Sequence, residues 1–217
     1  MLSNGLRRTI DLDTFRRLVR LPTDFYDRPA LAVARDLLGK VLVHRDCDGD
    51  GDRVLRGRIV ETEAYVGEHD LACHASKGRT RRTDVLYGPP GRAYVYLIYG
   101  MYPLFNVVTL PEGTAAAVLV RGLEPLEGFA PSVRTDGPGR LCRAMGIGMR
   151  HNREDLVEGE ALWLEDAPSL PSRRVVRGPR IGVDYAGEWA RKPYRLWVRD
   201  NPFVSHPRTP PTAAVPP

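Results

Sequence analysis

Short runs rich in β-branched and aromatic residues dominate the chain, and this pattern predicts a sheet of antiparallel strands with few helices. The most informative run is residues 58–66, RIVETEAYV. Side chains alternate faces along a strand. Val60, Thr62, Ala64 and Val66 therefore share one face, and Ile59, Glu61, Glu63 and Tyr65 share the other. The first face suits a core. The second puts two carboxylates beside an aromatic ring, which a core tolerates only if each charge has a partner. Two readings compete for this face: a solvated surface with salt-bridged glutamates, or the wall of a catalytic site.

Further strands are predicted over 40–45, 93–100, 104–110, 115–121, 161–165, 175–183 and 194–199. Residues 93–110 read as a hairpin broken at Gly100-Met101-Tyr102-Pro103, with Tyr94 and Tyr96 on one face and Tyr99, of opposite parity, at the tip. In 115–121 the arginine closes an apolar run, where a charge usually marks a strand leaving the core. A helix is predicted over 30–39, with Asp27 as cap, Pro29 in the first turn, Gly39 at the end, and Leu31, Ala34 and Leu38 on one face. A second helix, 140–145, follows Gly137-Pro138-Gly139 and stops at Gly146, and 152–156 resembles a helix start. Residues 46–52 mimic the opening of a calcium loop, but the twelfth position is Gly57 and the flanks are strands, so a hairpin turn is expected. The polar connection 67–92 is too long to be an idle loop, so it is functional or disordered. It carries His69, Cys73 and His74, which lack a second ligand pair at zinc spacing, and the basic cluster Lys77, Arg79, Arg81 and Arg82.

Composition narrows the class. With 217 residues and 42% hydrophobic content, the chain can build one sizeable core. The expected organisation is a weakly ordered arm (1–20), one domain (21–205) and a Pro-rich disordered tail (206–217). Three widely spaced cysteines argue against a disulfide framework. No apolar run approaches a membrane span, and residues 1–20 lack the apolar region of a secretory signal. These features predict a cytoplasmic protein, nucleoid-associated if bacterial, with no membrane partner. A net charge of +5 is a modest footprint for a polyanion. Arginine supplies nearly all of it, lysine occurring only at 40, 77 and 192.

Six ordered blocks resemble the alkyladenine (3-methyladenine) DNA glycosylase family of the mammalian-type fold. They are ARDLLG from Ala34, RIVETEAY from Arg58, YVYLIYGMY from Tyr94, VLVRGLEPLEG from Val118, Gly137-Pro138 with Leu141-Cys142, and AGEWARKP from Ala186. The resemblance covers roughly residues 24–205. It implies a single compact α+β domain, with a curved, mostly antiparallel sheet flanked by short helices. It also implies base-excision repair: alkylated or deaminated purines (3-methyladenine, 7-methylguanine, hypoxanthine, ethenoadenine) are flipped from double-stranded DNA and excised with no lyase step, cofactor or metal, by a monomer. Carried over by position, Glu63 is the general base, and Arg121 helps hold the catalytic water and a nearby phosphate. Tyr65, His74, Tyr96 and Asn106 form the base pocket, and Tyr99 enters the DNA. The basic cluster could contact phosphates. Pro103 and Phe105 depart from the family pattern, which bears on damage preference. A catalytically inactive nucleic-acid binder on the same fold is the alternative. For Glu61 the resemblance offers no role; pairing with an arginine is favoured over repulsion of Glu63.

Overall fold

The computed structural model describes residues 20–46 and 53–207. Eight strands form one sheet: β1 (Val41–Asp46), β2 (Arg53–Tyr65), β3 (Ala93–Ile98), β4 (Tyr102–Val108), β5 (Ala117–Glu127), β6 (Leu162–Glu165), β7 (Val175–Gly178) and β8 (Arg195–Val198). The order is β3-β4-β5-β2-β1-β6, every pairing is antiparallel, and β8 joins β2 to β7. The helices are α1 (Thr23–Tyr26), α2 (Ala30–Leu37), α3 (Pro138–Met145) and α4 (Glu188–Arg191). The fold is thus the α+β architecture expected, a single antiparallel sheet with short helices. The β1–β2 hairpin forms with Asp46 opposite Arg53, while its turn, 47–52, lies outside the described residues, as do most of the arm and tail.

Period-two alternation sorts the sheet into two faces. Thr62, Ala64, Val95, Phe105, Val107, Val118 and Val120 face the main core, where α2 covers β2 and β5, and α3 covers β4 and β5. Thr62 crosses to α2 by donating to the Ala34 carbonyl at 2.8 Å. Tyr65, Tyr94, Tyr96, Val108 and Ala117 form a second cluster on the opposite face, closed by the 67–92 connection. Burying a Val or Phe side chain contributes roughly 1.5–3 kcal/mol, so the first face holds the sheet together. The second is free to carry chemistry.

β2 is the spine. It pairs with β5 along one edge and with both β1 and β8 along the other, so residues 59–64 are buried on both faces. That rules out the solvated-surface reading of Glu61 and Glu63. Ile59 joins the main core although its parity assigns it elsewhere, next to a register shift against β5. A second shift skips Arg121, because Glu61 pairs with Gly122 and Thr62 with Val120. Bulges of this kind re-aim a side chain.

Several expectations are corrected. β5 continues to Glu127, and Arg121 lies buried within it rather than where the strand leaves the core. Asp27 closes α1 instead of opening α2, whose N-cap is Pro29; the buried face of α2 is Ala30, Val33, Ala34 and Leu37. β7 ends at Gly178, since Pro179 has no N–H for a ladder. Residues 152–156 form no helix: the Asn152 side chain accepts the Val95 N–H at 3.0 Å, and Arg153 sits at φ 77°. The 67–92 connection is ordered and contains two 3-10 turns, His74–Lys77 and Asp84–Tyr87.

Candidate active site

A cavity of about 910 Å³ opens on the second face of the sheet. Its wall is aromatic because alternate positions of β2 and β3 point there. Tyr94 and Tyr96 lie 5.3 Å apart, and the His74 ring packs edge-on to Tyr96 at 4.5 Å. His74 Nδ1 shares a 2.8 Å hydrogen bond with the Tyr94 hydroxyl. Burial, helped by Arg82 and Lys77, lowers the His74 pKa to about 4, so the imidazole is neutral at pH 7. Asn106, one strand over on β4, lines the same cavity and donates to the Tyr94 carbonyl at 3.1 Å. The structure thus brings Tyr65, His74, Tyr96, Asn106 and Arg121 to one cavity.

Glu63 stands directly behind this wall. It is wholly buried and does not line the cavity, but its three partners do. Oε1 accepts the Ile181 N–H at 2.7 Å and faces Arg121 Nη1 at 3.4 Å, while Oε2 accepts the Tyr65 hydroxyl at 2.9 Å. Burial raises the Tyr65 pKa well above its ordinary value, and the Glu63 charge adds to this, so Tyr65 remains a donor. Burial opposes the charge on Arg121, yet Glu63 and Glu61 more than offset it and hold its pKa up. Glu61 pairs with Arg121 at 3.0 Å and Arg195 at 2.6 Å, the arginine pairing expected of it.

Tyr99 projects at the tip of the β3–β4 hairpin, 83% exposed and on the cavity rim. Tyr99 and Gly100 both have positive φ, 53° and 68°, and Met101 N–H bonds the Ile98 carbonyl, the φ pattern of a type I′ turn. Such turns favour Asn or Asp at the first central position, where a bulky aromatic is strained. Of the basic cluster, Arg82 reaches the cavity and lies 5.2 Å from the Tyr96 ring centroid. Arg79 is tied to Asp84, and Lys77 and Arg81 are exposed.

The supports of this site are residues that local sequence patterns do not single out. Asp70 and Arg180 form a buried bidentate pair, and Arg180 packs 4.8 Å from the Tyr65 ring centroid. Arg195 and Ser205 surround Glu61. Arg134, Asp136 and Arg140 occupy the rim beside the N-terminus of α3. The one available signal was an arginine inside a predicted strand, at 180 and 195.

Comparison with known proteins places the chain among the DNA glycosylases. Residues 24–202 match the family described as "Methylpurine-DNA glycosylase (MPG)", and the chain belongs to that family. A protein of Myxococcus xanthus (strain DK1622) named "Putative 3-methyladenine DNA glycosylase" is 61% identical over 185 residues, covering 85% of this chain and 93% of its own length. Proteins of the same name are 50% identical in Legionella pneumophila (strain Corby), over 86% of this chain and 98% of theirs, and 52% identical in Methanocella arvoryzae, over 85% and 95%. No helix among the described residues is long and apolar enough to cross a membrane.

Proposed function

We propose that the protein excises alkylated or deaminated purines from duplex DNA by hydrolysing the N-glycosidic bond, with Glu63 activating the water. The observation that carries this reading is the Glu63 carboxylate, held by Tyr65, Ile181 and Arg121 behind an aromatic cavity with an exposed tyrosine on its rim. A target base inside a duplex is out of reach, so the nucleotide must be extruded. Tyr99 is placed to fill the gap in the stack, as wedging side chains do. The flipped purine is received by Tyr65, Tyr96 and His74. Aromatic faces attract a cationic alkylated base by roughly 0.5–2 kcal/mol each. A neutral His74 does not repel it.

Cleavage develops positive charge on the sugar. A carboxylate offers about four acceptor positions, so the contacts to Tyr65, Ile181 and Arg121 leave Glu63 one acceptor position for a water, which must reach it between those cavity-lining partners because the carboxylate is wholly buried behind them. General-base action of this kind contributes about 10²–10⁴-fold. Arg82, with Lys77, Arg79 and Arg81 beyond it, is suited to phosphates on the flank. None of the three lysines lines the cavity: Lys40 is bound to Asp166, Lys192 lies over Trp189, and Lys77 is on the outer turn. This supports water, rather than a Schiff-base amine, as nucleophile, and hence an intact strand after excision.

The test is a duplex oligonucleotide carrying one hypoxanthine or ethenoadenine. Wild type should release free base and leave an abasic site that breaks only on alkali treatment. Glu63→Gln should slow release by about 10³-fold while retaining DNA binding. Release at the wild-type rate by Glu63→Gln would remove Glu63 as the base. No release by wild type from either lesion, with binding intact, would favour the non-catalytic binder.

A further inference from the structure

Glu61 has no task in excision as described, although its carboxylate accepts four hydrogen bonds beside the site. Its Oε1 accepts from Arg121 Nε at 3.0 Å, Arg195 Nε at 2.6 Å and the Ser205 hydroxyl at 2.9 Å, and Oε2 accepts the Ser205 N–H at 2.7 Å. Arg195, wholly buried, is pinned at its other end by the carbonyls of Ser205 and Pro207 at 3.0 and 2.8 Å. A Cβ on Gly122 would meet the Phe203 carbonyl oxygen at 2.7 Å, so the segment leading to Ser205 lies tight against β5 beside the Arg121 bulge.

Arg121 is therefore held from two sides. Its Nε is on Glu61, its Nη2 is 3.4 Å from the Ser205 hydroxyl, and its Nη1 faces Glu63. Two buried glutamates and two buried arginines balance in charge. Removal of the Glu61 charge would leave two buried guanidinium groups against one buried carboxylate, with Arg121 Nε on a neutral acceptor at best.

We infer that Glu61 is the positioning residue of the site: together with Arg195 and Ser205 it sets the guanidinium of Arg121 against Glu63. This rests on Glu63 being the base. Glu61 touches no substrate in this scheme and acts only through Arg121.

The experiment measures single-turnover base release from hypoxanthine duplex, together with the Kd for the same duplex. It compares wild type, Glu61→Gln, Arg121→Met and the double variant. Glu61→Gln should slow release about 10²-fold, as small misplacements of catalytic groups do, with Kd within about threefold because the DNA-facing surface is untouched. Added to Arg121→Met, it should cause no further loss. A wild-type rate for Glu61→Gln, or losses that multiply in the double variant, would overturn the inference. If Glu61→Gln does not fold, Ser205→Ala decides. It deletes the hydroxyl that bonds both Glu61 and Arg121 and should slow release roughly 3–10-fold, about the worth of one hydrogen bond, in protein that is still fully folded at the assay temperature. A wild-type rate there overturns the inference as well. Glu63→Gln separates the two failures: if it stays active, the base assignment falls and the inference with it. If it is inactive while Glu61→Gln is normal, only the positioning role falls.

Discussion

The wall behind the cavity and the hairpin tip above it are built on opposite terms. The wall is assembled from distant parts of the chain: Glu61 meets Ser205 across 144 residues, and Arg180 meets Asp70 across 110. It is buried, charged and balanced. The tip is local, four residues closing one hairpin, exposed and apolar, with Tyr99 in a backbone conformation unfavourable to a bulky side chain. The difference separates stability from recognition. The wall holds Glu63 and Arg121 in place at the expense of desolvated charges, whereas the tip holds local strain and presents a ring.

Breaking a buried ion pair from one side leaves an uncompensated charge, so Arg180→Met should have the largest effect on folding. It should lower stability by about 3–5 kcal/mol, read from the urea midpoint, and Asp70→Asn added to it should recover part of the loss. A shift under about 1 kcal/mol would mean that Arg180 and Asp70 behave as an exposed pair and not a buried one. At the tip, Tyr99→Asn should move two quantities in opposite directions. Asn suits the left-handed turn position, so stability should rise by about 0.5–1 kcal/mol. Loss of the ring should weaken duplex binding about tenfold, the lower range of aromatic stacking. Equal or tighter duplex binding would end the wedge role, and a drop in stability would show that the strain is absent.

The smallest effect is acid sensitivity at two histidines, of which only His74 lines the cavity. His74 and His151 both titrate near 4 because burial penalises their charged forms, against an ordinary 6.5. Between those values the unfolded chain binds more protons than the folded one. Their contribution is therefore present above pH 6.5 and lost as pH falls towards 4. Denaturant midpoints should decline over that window, and His74→Gln should flatten the decline without abolishing it. An unchanged slope in the variant would place His74 in open solvent.

The tip and the strand pattern were legible in the sequence because both are local. Period-two alternation assigned Thr62 and Ala64 to the core and Tyr94 and Tyr96 to a common face, and the opposite parity of Tyr99 beside Gly100 set it at the turn. The wall was legible only in part. Glu61, Glu63 and Tyr65 could be grouped, but nothing in a linear pattern shows that β8 closes over them and buries both glutamates. The bulge that turns Arg121 inward leaves no residue signature, so Arg121 read as the end of its strand. Asp70, Arg180, Arg195 and Ser205 acquire meaning only from the topology that joins them. Residues 152–156 misled for a related reason: an asparagine suited to starting a helix caps a strand edge at Val95 instead.

The junction between Glu61 and Ser205 also carries a timing. At synthesis rates of roughly 5–20 residues per second, Glu61 is made roughly 7–30 s before the residue that completes its hydrogen bonding, given their separation of 144 positions. Until Ser205 is made the nascent sheet can form hairpins, but Arg121, joined by Arg195 only for the last ten residues of the interval, lacks the segment that locks it. The order of translation thus keeps the Glu61 cluster incomplete until residues 24–202 have all been made, and a ribosome stalled before Ser205 would carry a chain with the aromatic cavity sketched and the latch on Arg121 open.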